Sequence, residues 1–385
     1  MATGDILPSE SREFTDPQTG VRIRQLTDYR AHNHHLYFTN NGFWDDGRRL
    51  IVASHRNNAE NFYSVELDSG EITQLTDFPS DAHPRLQPAF LNPIRDEIYF
   101  MNAAELIALD LRSCQQRVLY RRPDEYMRGA LSCTADGAMV CLGISEDLSD
   151  RIRMDLGHGY VGFAEYSDAR PHSQIVGIPV DGGPCRILHE EDFWLTHINT
   201  SPALPNTLTF CHEGPWKDID QRMWVLDIAS GDVHPLRPQK PNEAIGHEYW
   251  FADGERIGYH GTVDGVARFG YIRPDNSDHH EWDFPHGSFH FHSMDETLIV
   301  GDGLKPDPRM FLWKLEGNAY GPTRVLLHHR CSFHDQILHV HPRMFAGSDG
   351  SRRIVFSADT TGYGNVYIAD IPDDVDSLPP ADSEQ

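Results

Sequence analysis

The sequence predicts an all-β chain, a seven-bladed β-propeller whose ring is closed by an N-terminal strand. Three observations carry this expectation. A strand–turn–strand grammar returns seven times at roughly the 40 to 50 residue period of four-stranded propeller blades. No long helical pattern competes with it. The N-terminal "GVRIRQLTD" reads like the outer strand that ends a blade, so it is expected to complete the seventh unit.

The clearest unit is "FWDDGRRLIVASHRNNAENFYSVELDSGEITQLTDFP", from Phe43. An Asp-Gly turn leads into an apolar strand, a polar loop, the alternating strand "FYSVELD", a Ser-Gly turn and a short last strand. The pattern recurs more weakly from Leu91, from Cys133 and from Leu204, then clearly from Phe251, Ser293 and Gly347. The third unit is longer, and its insertion near 145–172 is expected to cover one face as a helix or lid-like loop. A single propeller domain is therefore expected over 1–374, followed by an acidic, Pro-rich and disordered tail over 375–385.

Composition narrows the function classes. The 385 residues are 39% hydrophobic and 24% charged, ordinary for an enzyme-sized globular chain. The formal net charge is -25 with no basic block, which makes nucleic acid and anionic membrane surfaces poor partners. The N-terminus lacks a basic region followed by an apolar core, and no run reaches transmembrane length. Cys114, Cys133, Cys141, Cys185, Cys211 and Cys331 form no CxxC pair, so free thiols and a cytoplasmic location are expected.

A propeller does not name a function, because most such rings are scaffolds. The histidines are more informative. Of 23, six precede turns in the channel-side segments: His34, His197, His247, His290, His339 and His341. In "HDQILHVHP", His339 and His341 share a face if the segment is a strand, whereas Gln336 joins them only across a turn or bulge. His290, just before the sixth blade, is expected beside them. Three imidazole nitrogens and an amide oxygen make a neutral site for a divalent first-row metal. Polar histidines bonded to water are the alternative.

A second group lies in "FCHEGP", "QRMW" and "GHEYW", with His212, Arg222 and His247. A neutral imidazole beside a guanidinium suits removal of a C–H proton next to a carboxylate. The alternative is a surface pairing of Arg222 with Asp218 or Asp220.

At these residues the chain resembles the oligogalacturonate lyases, seven-bladed propeller enzymes of pectin breakdown. The blocks "FCHEGP", "RMW", "HEYW", "HFHS" with "DETLIVGDG", and "QILHVHP" with "IVFSAD" carry the resemblance, in order, over most of the chain. It implies that His290, Gln336, His339 and His341 bind a divalent metal, usually manganese. It also implies that His247 is the general base and that Arg222 faces the substrate. His34, His197 and His212 are the further expected substrate contacts. Two departures stand out: Val340 replaces a proline common in the family, and "HFHS" leaves a choice between His290 and His292, with His290 the better match.

The implied reaction is β-elimination on a short, often unsaturated oligogalacturonate. His247 would take the C5 proton while metal and Arg222 stabilise the enolate-like charge. The charge of -25 repels a long polyanion, so di- and trimers are expected to be better substrates than polymer. Two other readings remain: a propeller lyase for a different uronate linkage, and a non-catalytic glycan- or protein-binding propeller. Oligomeric state is not legible.

Overall fold

The structure, a computed structural model, describes residues 2–383 other than His83, His158 and Pro306. Seven antiparallel sheets follow one another along the chain, in nearly all-β architecture, and the fold is the seven-bladed β-propeller. Contacts divide the chain into two compact units, residues 1–87 with 284–385, and residues 88–283.

The first unit contains the first, sixth and seventh sheets. The first is built on Asn33–His34, Arg49–Ser54, Asn61–Glu66 and Ile72–Gln74, with Ile6–Leu7 added at its edge. The sixth is built on Phe291–His292, Leu298–Gly301, Arg309–Glu316 and Arg324–His328. In the seventh, Arg22–Gln25 pairs with Asn365–Asp370, and Arg12–Thr15 adds a fifth strand outside it. The expected N-terminal closing strand is thus present. Val21 and Ile23 anchor it in a core that also holds Ile354, Tyr367 and Ala369. Each buried Val or Ile of this core contributes about 1.5–3 kcal/mol relative to exposure.

The second unit contains the next four sheets, of which the third, fourth and fifth bear on function. Their first strands are Tyr126–Cys133, Leu195–Thr200 and Glu243–Trp250. Each is bulged, with register shifts at Arg128/Leu131, Thr196/Asn199 and Gly246/Tyr249.

One turn explains much of the repeat. In the segments 16–20, 110–114 and 227–231, the first residue is an Asp whose carboxylate accepts the N–H groups two and three residues on. The fifth residue returns its N–H to the carbonyl of that Asp. It sits at positive φ: 74° at Gly20, 59° at Cys114 and 81° at Gly231. A short acceptor followed by Gly supplies both requirements, so the turn can be written locally in the sequence.

The insertion contains the helix Phe163–Asp168. Tyr166 is fully buried against Trp194, 4.8 Å between ring centroids, and its hydroxyl donates to the Glu146 carbonyl at 2.6 Å. The tail differs from expectation. Val375 and Leu378 enter the core of the first unit, and Val325 N–H donates to the Pro379 carbonyl at 2.8 Å. Apolar residues spaced among the acids attach residues 375–381 to the sixth sheet. Residues 384 and 385 lie outside the described residues.

Candidate active site

In the first unit, His290, His339 and His341 present ring nitrogens that all lie within 4.8 Å of one another. His290 directly precedes the short strand Phe291–His292. Gln336–Leu338 forms a single helical turn, capped by Asp335, and His339 and His341 follow it before Arg343–Ala346. The two histidines do not lie in a strand, yet their alternation survives. Val340 between them is fully buried in the apolar core, which turns both neighbours to the other side. The helical turn brings Gln336 to them, with its amide nitrogen 3.4 Å from His341 Nε2.

Asp302 completes the cluster. It is fully buried; Oδ2 lies 2.7 Å from His290 Nδ1, and Oδ1 accepts the His290 backbone N–H at 2.8 Å. With Nδ1 held by Asp302, Nε2 is the nitrogen left to face a cation. Burial pushes the His339 imidazole down to about 4 and His341 well below its ordinary range, with His290 adding to both effects. His339 Nδ1 is buried without a hydrogen-bond partner. Three converging imidazoles, those of His339 and His341 held neutral by burial, with an orphaned nitrogen fit a first-row divalent metal. His292 is engaged elsewhere: Met344 N–H donates to its Nδ1 at 3.1 Å, and Arg343 lies 3.2 Å from its Nε2.

In the second unit, His197 and His247 occupy equivalent places in the bulges of the fourth and fifth sheets, with φ of 49° and 50°. A non-Gly residue held there is strained, and bulges re-aim side chains at functional sites. The next residues, Ile198 and Glu248, turn inward and are buried. Glu248 thus puts a carboxyl where the fourth sheet has an aliphatic chain. Burial pushes it up, and neither oxygen has a hydrogen-bond partner.

His247 Nδ1 lies 3.2 Å from His260 Nε2, and its ring meets the edge of Trp216 at 4.9 Å. Arg222 stacks over Trp216 at 5.0 Å and is only 1% exposed. It pairs with neither Asp218 nor Asp220. Its Nη1 donates to Glu213 Oε1 at 2.7 Å, and Glu213 Oε2 faces His197 Nε2 at 3.4 Å. Burial alone would raise the Glu213 carboxyl, but Arg222 and His197 hold it well below the usual range. Arg222 also supports the backbone beside His247, because a Cβ on Gly246 would lie 2.5 Å from Arg222 Nε.

His212, an expected substrate contact, is committed to packing. Its ring stacks on Phe193 at 4.0 Å, and Nε2 lies 2.9 Å from Glu191 Oε1. His34 lies in the first unit, in the first sheet, and is 1% exposed. Asp302 and Glu213 were not singled out from sequence. Hairpin register could have found them: Phe291 opposes Gly301, and Cys211 opposes Met223, so each acid stands beside the functional residue across its hairpin.

Comparisons with known proteins point to one family. A family model described as oligogalacturonate lyase matches residues 1–314. An oligogalacturonide lyase from Pectobacterium atrosepticum is 25% identical over 97% of this chain and 100% of its own length. An oligogalacturonate lyase from Dickeya dadantii is likewise 25% identical, over 97% and 100%. Among solved structures, an oligogalacturonate lyase in complex with manganese superposes with a TM-score of 0.87 at 24% identity, covering 97% of this chain and 100% of that one. One from Vibrio parahaemolyticus gives 0.86 at 24% identity, with the same coverage.

Proposed function

The chain belongs to the oligogalacturonate lyase family, and on that premise we propose that it cleaves short galacturonate oligomers by β-elimination with manganese as its metal. The observation that carries this is the set of converging imidazoles of His290, His339 and His341, with Asp302 orienting His290. Gln336 supplies a fourth, amide oxygen donor. When bound, the cation supplies positive charge for a uronate carboxylate, which acidifies the neighbouring C5–H.

His247 takes the C5 proton. Its backbone strain and its contacts with His260 and Trp216 restrict the ring to one orientation, the condition for an effective general base. Arg222 acts here as a positioning residue. Already neutralised by Glu213, it fixes Trp216 and the Gly246 backbone, and through them His247. His197, held by Glu213, is the proposed substrate contact that remains, whereas His34 is buried within the first sheet. The charge of -25 supports a preference for di- and trimers. A cytoplasmic location is part of the same reading, supported by six free cysteines.

The test is absorbance of the unsaturated uronate product with digalacturonate and its unsaturated form, after chelation and with manganese restored. Metal-dependent formation of product is the expected result. Tightly bound metal without product from either sugar would overturn the galacturonide assignment.

A further inference from the structure

A second cluster of ligand-bearing side chains lies at one end of the first sheet. His34 ends the strand Asn33–His34, which pairs with Arg49–Ser54 in the register His34 to Ala53. His55 follows Ser54 directly, and Glu60 precedes the next strand, whose Asn61 pairs with Ser54. The loop between His55 and Glu60 therefore leaves and returns at the same level, and its two ends meet His34. One ligand atom from each of His34, His55 and Glu60 lies within 4.8 Å of the others.

The orientation of His34 points to a use. Its Nδ1 lies 3.1 Å from the His35 carbonyl, an acceptor only, so Nδ1 carries a hydrogen and Nε2 is the nitrogen left to ligate. That Nε2 is buried without a hydrogen-bond partner, in a side chain 1% exposed, and its nearest counter-group is Glu60 Oε1 at 3.5 Å. His55 Nε2 is also buried without a hydrogen-bond partner, 3.9 Å from the same oxygen. Two unpartnered ring nitrogens converging on one carboxylate oxygen form a ready set of ligand atoms for a cation. Burial also pushes the His55 imidazole down, which favours its neutral, ligating form.

We propose that His34, His55 and Glu60 bind a second first-row divalent cation, of the class of zinc. Two imidazole nitrogens and one carboxylate leave coordination positions open, as in sites that keep a water or take a ligand. The carboxylate offsets one cationic charge, which distinguishes this set from the neutral His290–Gln336–His339–His341 set. The assignment rests on the first sheet alone and not on the lyase reading.

The test is calorimetric titration of the chelated full chain with Zn2+, without substrate. Two equivalents are expected for the native chain and one for His55→Ala. Glu60→Gln, which keeps the shape of the side chain, is expected to weaken the second equivalent at least tenfold while leaving the fold unchanged by circular dichroism. His339→Ala is expected to retain the Glu60-dependent equivalent. A native chain with no Glu60-dependent equivalent, or a Glu60→Gln chain that binds Zn2+ as the native chain does, overturns the proposal. Because the readout is metal count, a chain that binds two cations but turns over no galacturonide would sink the lyase reading alone.

Discussion

Asp302 holds His290 twice, accepting from its backbone N–H at 2.8 Å with one oxygen and facing its Nδ1 at 2.7 Å with the other. Both contacts are buried, so ring and backbone are fixed together. Losing such an orienting carboxylate typically costs about 10–100-fold in metal affinity. Asp302→Asn is therefore expected to weaken manganese binding at the His290 cluster by about that factor, read by titration. Unchanged affinity would mean that the imidazole is oriented by packing alone.

The two groups of histidines separate by role. His339→Ala removes a ligand and is expected to lose both metal at that cluster and turnover. His247→Ala is expected to keep the metal while kcat falls by about 10²–10⁴, the usual contribution of a general base. Metal analysis beside product absorbance distinguishes them; equal metal content in the two variants would refute the division.

Glu213 and Arg222 form a pair in which both side chains are largely withdrawn from water. Removing one partner leaves a buried charge alone, a loss of about 3–5 kcal/mol in comparable cases. Glu213→Ala is expected to show that destabilisation in urea unfolding. A loss below 1 kcal/mol would indicate that water reaches Arg222 easily.

Stability should depend on pH through buried neutral histidines. Burial pushes His35 down to about 3 and His329 to about 4, from an ordinary 6.5. Both values are depressed, so between those values and 6.5 the unfolded chain holds protons that the native one refuses. Stability is then complete above pH 6.5 and falls as pH drops through the window, by about 1.4 kcal/mol per pH unit for each proton. Tm of the metal-free protein is expected to decline steadily from pH 6.5 to 4. A flat profile would show that these rings protonate within the fold.

Much of the architecture is local and hence legible. An Asp or Gly at a turn, alternating residues in a strand and a short outer strand each act within a few positions, so the seven units could be counted from the chain. His339 and His341 were legible for a similar reason, since apolar Val340 sets their common direction even without a strand.

The partners were not legible in this way. Arg222 stands close in sequence to Asp218 and Asp220 but pairs with Glu213, because His212 N–H donates to the Arg222 carbonyl across the hairpin and brings Glu213 alongside. Sequence proximity on a turn does not decide which carboxylate shares a buried guanidinium; strand register and desolvation do. The same holds for Asp302 beside His290, and for His34, His55 and Glu60 at the ends of three adjoining strands. Local patterns in the chain set which elements form and which residue types they carry. Which of those groups meet is set by packing across strands, because a buried polar atom is matched by whatever the fold places against it.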